Sequence, residues 1–478
     1  MKTFFLYFVI FSMIQCYVKI PIKYYPTKIF NITNPSNIMH NIIIQRLYAT
    51  LEIGNPRQKI QIPIEFNTND FYLSKSKETS PSIIDTTFNI TYFKNEDSNS
   101  LKHVEDEEIY YGVNFLVGSR EKDFFYFGDK KAELDFYLVT HLTQPMSGEV
   151  GIQINPSSDL NTAFENPEKS FLRILKKSGL IKNYAWAIVF NNNSPNNANN
   201  QEIDGYLYIG EYLHNIDKMD KKYIDNSMNS INAYLYQNVV KTEFLMTKMI
   251  IYRKNNPNDI INEIQLSRNY LKVRLDYNFW GIQGSELIHQ YLKDKLFTKE
   301  NNCYEDFYND NDKYSFYYCD NNPKTLKNLK ENFPTIQFTH QDFNYNFTIN
   351  GSDLFIEKGN YIYCLMVFAS YYRYDWRLGK VFLNKYTFTT DQDSKKIYFY
   401  SVIEDINIRG MKKGTLVVII IFLILICLCL GFILARKIYR IHIKRHANVL
   451  EDTFEYMPPV LESKNKKEIE MSPKLYSD

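Results

Sequence analysis

The sequence is poor in cysteine, in tryptophan and in net charge, and each shortage narrows the possible functions. Only six cysteines and three tryptophans occur among 478 residues, and the formal net charge is +2. Proteins that bind nucleic acid usually carry a strongly basic surface, so we expect no nucleic-acid partner. The sequence has no Cys-x-x-Cys or His-x-x-His spacing. It therefore predicts no metal site, and nothing in it points to a cofactor.

Apolar runs near both ends of the chain predict its placement in a membrane. The first follows a single lysine, is too short to span a bilayer and ends near Cys16, so residues 1–16 are predicted to be a secretory signal peptide. The second, residues 415–435, has the length needed to cross about 30 Å of hydrocarbon. Basic residues are denser after this run, which places residues 436–478 in the cytoplasm. We expect a single-pass type I membrane protein with residues 17–413 lumenal or extracellular.

Five N-x-S/T sequons agree with such a compartment. They begin at Asn31, Asn89, Asn192, Asn346 and Asn350. A chain rich in asparagine also produces sequons by chance, so we expect only some of them to carry a glycan.

Alternation of apolar and polar residues dominates the segment before the membrane run. Residues 46–66 (RLYATLEIGNPRQKIQIPIEF) alternate on both sides of Gly54-Asn55-Pro56, which predicts a β-hairpin. Short helices are predicted at residues 170–178, 285–296 and 324–332. The fold class is therefore mainly β. A polar stretch at 191–201 marks either a division between two halves or a long hairpin tip.

Acidic residues end two of these apolar strands. Glu65 follows QKIQIPI, and Asp276 follows LKVRL in the stretch KVRLDYNFWGI. Carboxylates at strand ends are often ordinary solvated residues, so position alone does not make a site.

The surroundings of the two acids resemble those in the pepsin-like aspartic peptidases. YATLEIGNPRQ is similar to the first hairpin of that family, and counting on from it puts Glu65 at the first catalytic aspartate position. EEIYYGVNFLVG resembles the flap hairpin, and SGEVGIQINPSS resembles the D-G-I-L-G-L strand and turn. Asp276 falls at the second aspartate, and WRLGKVFLNKYTF resembles the closing W-x-L-G segment. The order and spacing of these motifs carry the resemblance.

The resemblance implies a bilobal acid-protease fold, followed here by the single transmembrane helix. Residues 45–200 would form the N-terminal lobe and residues 201–401 the C-terminal lobe. Residues 402–414 would link the second lobe to the membrane. Residues 17–44 would be either a short pro-segment or an N-terminal strand.

The resemblance also implies roles for individual residues. Glu65 and Asp276 would stand at the positions of the catalytic dyad, and Tyr111 and Gly112 would form the flap that covers substrate. The hydroxyl and glycine that follow each aspartate in the family are changed in this chain. The replacements are Phe66 and Asn67 in the first motif and Tyr277 and Asn278 in the second.

These changes leave three hypotheses for function. The first is a family member that binds an extended peptide in the cleft between the lobes with little or no hydrolysis. The second is an active aspartic endopeptidase that uses Glu65 and Asp276 as its dyad. The third is a surface glycoprotein with an adhesion or structural role. We favour the first, because the changed residues are those that position the dyad.

The remaining cysteines predict one disulfide. Those outside the signal peptide and the membrane run are Cys303, Cys319 and Cys364. Cys303 and Cys319 bracket a polar run typical of a hairpin tip and would close a loop of ~15 residues. The family resemblance instead implies a bond between Cys319 and Cys364. We favour Cys303–Cys319, with Cys364 as a buried thiol.

Overall fold

Strands with alternating burial make up most of the N-terminal half. The structure is a computed structural model that describes residues 16–27, 34–75, 90–111, 114–141, 147–154, 170–191, 203–216, 230–233, 235–236, 239–253, 256, 258–265, 271–310, 312–340, 343, 345–369, 376–400 and 435–438. The first ten strands are β1 (Val18–Pro26), β2 (Gln45–Ile53), β3 (Gln58–Glu65), β4 (Phe71–Ser74), β5 (Lys102–Tyr111), β6 (Asn114–Phe127), β7 (Lys130–His141), β8 (Gly148–Gly151), β9 (Ala185–Phe190) and β10 (Gly205–Ile209). The predicted hairpin is β2–β3, and its turn begins at Gly54, whose φ of +88° favours glycine.

The C-terminal half is also built mainly of strands. They are β11 (Ser230–Asn232), β12 (Leu235–Tyr236), β13 (Val239–Val240), β14 (Glu243–Met246), β15 (Lys248–Tyr252), β16 (Ile260–Gln265), β17 (Leu271–Leu275), β18 (Ile282–Gly284), β19 (Cys303–Asp310), β20 (Asp312–Asp320), β21 (Thr335–His340), β22 (Tyr345–Ile349), β23 (Phe355–Lys358), β24 (Tyr361–Ala369), β25 (Trp376–Leu378), β26 (Thr387–Asp391) and β27 (Lys396–Tyr400). The prediction of a mainly β fold is confirmed.

Helices are few and short in the described residues. They are α1 (Pro35–Ile43), α2 (Phe171–Lys177), α3 (Glu286–Lys295), α4 (Pro323–Asn332), α5 (Gly351–Leu354) and α6 (Lys380–Leu383). The three predicted helices correspond to α2, α3 and α4. Helix α1 was not predicted, although Asn34 caps it by accepting a hydrogen bond from Asn37 N at 2.9 Å and Pro35 occupies its first turn.

One large sheet joins strands from both ends of the chain. Thirteen of the described strands form it, in the order β11-β27-β26-β9-β10-β1-β2-β3-β8-β4-β7-β6-β5. Strand β1 pairs with β10 on one side and β2 on the other. Strands β26 and β27 join the sheet through β9. An eight-stranded sheet built on β17 and β24 and a four-stranded sheet built on β15 and β21 hold most other strands.

The strand that leads to each acid lies in the same local arrangement. In the N-terminal half, β3 runs parallel to β8, β8 antiparallel to β4, and β4 parallel to β7. In the C-terminal half, β17 runs parallel to β25, β25 antiparallel to β18, and β18 parallel to β24. This repeat is what a two-lobed fold with one acid from each lobe requires.

Residues 1–403 form one compact unit, and residues 404–478 form a second. The second unit is described only at residues 435–438, which are helical. Among the described residues, no helix has both the length and the apolar character needed to cross a membrane. The predicted signal peptide, except for Cys16, and residues 415–434 of the predicted membrane helix lie outside the described residues.

Candidate functional site

Both candidate acids lie at the ends of buried strands. Glu65 is the last residue of β3, and Asp276 directly follows β17. Their side chains are 22% and 17% exposed, so each is partly accessible to solvent. We call Glu65–Asn67 the first acid turn and Asp276–Asn278 the second acid turn.

Glu65 is bound by an arginine of the neighbouring strand. Arg46 on β2 donates from Nε to Glu65 Oε1 at 2.9 Å, and its Nη2 donates to the same oxygen. Burial would lower the pKa of the Arg46 guanidinium, but the charge and hydrogen bonds of Glu65 reverse that effect and raise it. Glu65 therefore has a full positive charge as its direct partner.

Asp276 has an arginine of its own. Arg377 on β25 donates from Nε to Asp276 Oδ2 at 2.6 Å, and the backbone N–H of Asn278 donates to Oδ1 at 2.9 Å. The guanidinium also lies 4.2 Å from the centre of the Phe279 ring, which fixes its position by a cation–π contact. Each acid is thus paired within its own half of the protein.

Aromatic rings connect the two acid turns. The rings of Phe66 and Tyr277 stack with their centres 4.9 Å apart and their planes 20° apart. Trp186 on β9 closes the group, with its ring centre 5.6 Å from Phe66 and 5.5 Å from Tyr277. All three side chains are buried. The contact between the turns is therefore apolar at the positions where the family resemblance expects hydroxyl groups.

The two asparagines that replace glycine are used through their side chains. Asn278 Oδ1 accepts a hydrogen bond from the backbone N–H of Leu47 at 3.0 Å, which links the second acid turn to β2. Asn67 Oδ1 accepts one from Lys241 Nζ at 3.4 Å, which links the first acid turn to the segment before β14. Outside glycine, positive φ occurs among the described residues only at Asn302 and Lys395. Neither turn asparagine therefore needs the left-handed conformation that glycine allows.

The N-terminal strand supports the second acid turn. Tyr24 on β1 donates from its hydroxyl to the backbone oxygen of Tyr277 at 2.7 Å. Its backbone N–H donates to Asp204, which also accepts from Lys380 Nζ at 2.8 Å. Burial lowers the pKa of the Lys380 ammonium, and the Trp280 ring 3.9 Å from Nζ packs against it. Strand β1 therefore packs against the second acid turn and helps to hold it in place.

A third acid near Glu65 was not predicted from the sequence. Glu149 on β8 is only 4% exposed, and its Oε1 accepts a hydrogen bond from Thr68 Oγ1 at 2.6 Å. Burial, with repulsion from Glu65 and Asp70, raises the pKa of Glu149 to about 8. The sequence did contain an indication of this acid: Glu149 in SGEVGIQI stands where the family motif D-G-I-L-G-L has an apolar residue.

The predicted flap is described only in part. Tyr111 is the last residue of β5 and pairs with Asn114 at the start of β6, so a hairpin is present at this position. Gly112 lies outside the described residues.

The cysteines adopt the first of the two pairings considered. Cys303 and Cys319 form a disulfide between paired residues of β19 and β20. Cys364 is a free thiol on β24. Burial raises the pKa of the Cys364 thiol to about 12, so it is unreactive at neutral pH.

The sequons differ in their surroundings. Asn31, Asn89 and Asn192 lie outside the described residues. Asn346 on β22 is exposed, with its side-chain oxygen bonded to Thr339. Asn350 caps α5 together with Asp353, and its side-chain oxygen also accepts from Thr335. A glycan on Asn350 would disturb this cap, so Asn346 is the better acceptor.

The described residues hold no group of three or more His, Cys, Asp or Glu side chains arranged to bind a metal ion. The prediction of no metal and no cofactor rests on the sequence.

Comparison with known proteins agrees with this geometry. The family model for eukaryotic aspartyl protease matches residues 46–402, which is most of the chain and includes both acid turns. No curated protein matches the sequence significantly. The acids, Arg46 and Arg377 all lie within the matched range. The chain belongs to the eukaryotic aspartyl protease family.

Proposed function

We propose that this chain is a membrane-anchored member of the family that binds an extended peptide between its lobes and hydrolyses it little or not at all. The observation that supports this proposal is the separate pairing of the two acids. Glu65 is bound by Arg46 and Asp276 by Arg377, so each carboxylate has a cation as its closest polar side-chain partner.

Hydrolysis by two carboxyls needs a different arrangement. One acid must be charged and the other protonated, with a water between them, and nearby carboxyls reach that state because both cannot ionise cheaply. In this chain each carboxylate instead binds an arginine of its own half. The stacked rings of Phe66 and Tyr277 also replace the hydroxyls that would position the turns, and a misplacement of about 1 Å can cost ~100-fold in rate.

Peptide binding does not need the paired carboxyls. An extended peptide can add to a strand edge through its backbone, as in other β-rich binding proteins. The hairpin of β5 and β6 and the strands behind the two turns are retained. A peptide-binding role therefore needs only features that this chain retains.

Membrane anchoring is the second part of the proposal. It rests on the apolar run at residues 415–435, the basic residues after it and the signal-like segment at residues 1–16. Residues 17–413 would then face the lumen or the cell exterior.

A proteolysis assay tests the catalytic part. The purified full chain, in detergent, would be incubated with a mixture of denatured proteins between about pH 3 and pH 6, with and without a statine-type transition-state mimic. We expect no cleavage that the mimic inhibits, because such mimics require the paired carboxyls. A pepsin-like enzyme with both motifs intact serves as the positive control.

Asp276→Asn is the matched variant for this assay. Cleavage by the wild-type chain that is inhibited by the mimic and lost in Asp276→Asn would show an active endopeptidase with a Glu65/Asp276 dyad. That result would overturn the proposal. If the protein had only an adhesion or structural role, a separate binding measurement would detect no binding of any extended peptide.

A further inference from the structure

A strip of four cations begins beside the second acid turn. Arg274 on β17 is paired in register with Arg377 on β25 and with Glu243 on β14. Residues paired across neighbouring strands point to the same face of a sheet, and Lys272, two residues before Arg274, shares that face. Lys241, in the segment before β14, lies close enough to Glu243, Arg274 and Lys272 for their charges to act on its ammonium. We call Lys241, Lys272, Arg274 and Arg377 the cationic strip.

Two carboxylates, Glu243 and Asp276, bind members of the strip. Lys272 Nζ and Arg274 Nε both bind Glu243, at 2.7 and 2.8 Å. Burial would raise the pKa of Glu243, but these two cations lower it, so the carboxylate stays charged. Within the strip, Glu243 thus binds two cations and Asp276 binds Arg377.

Two members of the strip are placed to receive a further anion. The Arg274 side chain is 54% exposed and uses Nε for Glu243, so its other donors lie on the exposed side. Lys241 Nζ has a long hydrogen bond to the neutral amide of Asn67. Burial lowers the pKa of the Lys241 ammonium; the charge of Glu243 raises it, and repulsion from Arg274 and Lys272 lowers it again. A carboxylate at this position would relieve that repulsion.

The strip contacts both acid turns. Lys241 reaches the first acid turn through Asn67, and Arg377 holds Asp276 of the second. The strip therefore runs from one acid turn to the other. The first turn, by contrast, has Glu65 bound by Arg46, and Glu149 beside them is buried with its pKa raised to about 8. The two sides of the site thus differ in charge.

We propose that the peptide bound between the lobes carries an acidic side chain, which sits against Arg274 and Lys241. This inference rests on the proposed function, because it names the class of peptide that the same site would hold. A guanidinium with free donors binds a carboxylate in a planar, two-bond geometry, and the lysine supplies a second positive charge.

Binding of three labelled peptides tests the inference. They are fluorescein-labelled nonapeptides of one sequence pattern, with glutamate, glutamine or lysine at alternate positions. Fluorescence anisotropy with the purified full chain should give at least tenfold tighter binding of the glutamate peptide than of the glutamine peptide. This difference should shrink when the ionic strength rises from about 0.05 to about 0.5 M, because salt screens exposed charges.

Variants separate a direct contact from a general effect of charge. The double substitution Arg274→Gln/Lys241→Gln should weaken binding of the glutamate peptide about tenfold more than that of the glutamine peptide. Glu243 keeps Lys272 as a partner in this variant, so the sheet is expected to fold. The matched control, Arg253→Gln/Lys59→Gln, removes the same net charge at side chains 69% and 72% exposed and should change neither affinity.

A charge-reversal variant tests whether Lys241 contacts the peptide directly, because a purely structural role would not change which peptide is preferred. Lys241→Glu should raise the affinity for the lysine peptide and lower that for the glutamate peptide. Equal binding of all three peptides, with no effect of the strip variants, would overturn the inference and leave the proposed function intact. Absence of binding by any of the three peptides would overturn the peptide-binding function itself.

Discussion

Glu149 makes stability depend on pH in a direction opposite to that of most acidic residues. Its side chain is 4% exposed on β8, beside Glu65 and Asp70, and its pKa is raised to about 8. In the unfolded chain the same group titrates near 4.5. Between these values the folded protein holds a proton that the unfolded chain has released.

The sign follows from proton binding in the two states. Stability rises with pH where the unfolded state binds more protons, and here the folded state binds more. The contribution of Glu149 is therefore fully present below about pH 4.5 and is lost as the pH rises through about 8. The loss is at most about 1.4 kcal/mol per pH unit, or roughly 5 kcal/mol across the interval.

Glu149→Gln removes this titration with little change of shape. A glutamine resembles the protonated acid, and its amide oxygen can still accept the hydrogen bond from Thr68 Oγ1. We expect the variant and the wild type to be about equally stable near pH 5. Near pH 8.5 the variant should be more stable by a few kcal/mol, because it has no charge to bury.

Urea unfolding of the full chain, followed by tryptophan fluorescence at several pH values, measures this difference. Glu133→Gln is the control for replacing a carboxylate by an amide elsewhere in the sheet, since that side chain is 35% exposed and pairs with the exposed Lys102. Parallel pH profiles for the wild type and Glu149→Gln would refute the reasoning. Such a result would mean that the carboxylate is solvated in the folded protein and that β8 is less tightly packed than the structure shows.

Two further predictions concern the ring stack and the anchor. In a double-mutant cycle with Phe66→Leu and Tyr277→Leu, we expect a coupling energy of about 1 kcal/mol in urea unfolding, because the ring centres are 4.9 Å apart. If the two substitutions change the free energy of unfolding additively, the rings do not interact directly. In alkaline carbonate washes, the full chain should stay with the membranes and a variant lacking residues 415–435 should not; release of the full chain would contradict the anchor.

Local patterns predicted the elements of this fold well. Alternating residues on both sides of Gly54 predicted β2 and β3, and the ends of these strands followed from turn residues. The positions of Glu65 and Asp276 followed from counting along motifs that the family resemblance supplied. Helix α1 was not predicted, although Asn34 and Pro35 are ordinary helix-start signals; it lies within residues 17–44, for which the sequence leaves a pro-segment or a strand open.

The partners of the acids could not be predicted in the same way. Arg377 lies 101 residues after Asp276, and only the pairing of β17 with β25 brings them together. The family motif W-x-L-G does not specify the residue between Trp and Leu, which is Arg377 in this chain. The motif therefore could not predict that an arginine would bind Asp276. Glu149 reaches Thr68 through the pairing of β8 with β3 and β4. Such contacts depend on strand register, which a single sequence does not fix.

The replacements at the two acid turns correspond to each other, and this bears on what the site does. Phe66 in the first turn stacks on Tyr277 in the second, and each ring would lack its partner if only one turn had changed. Both acids acquire an arginine from a neighbouring strand, and both asparagines bond to another segment through their side chains. Decay without selection would leave buried groups unpaired, since nothing would match a change in one half to a change in the other. Matched replacements favour a site in which the two halves must still meet accurately, as a peptide-binding cleft requires and a purely external adhesive role does not.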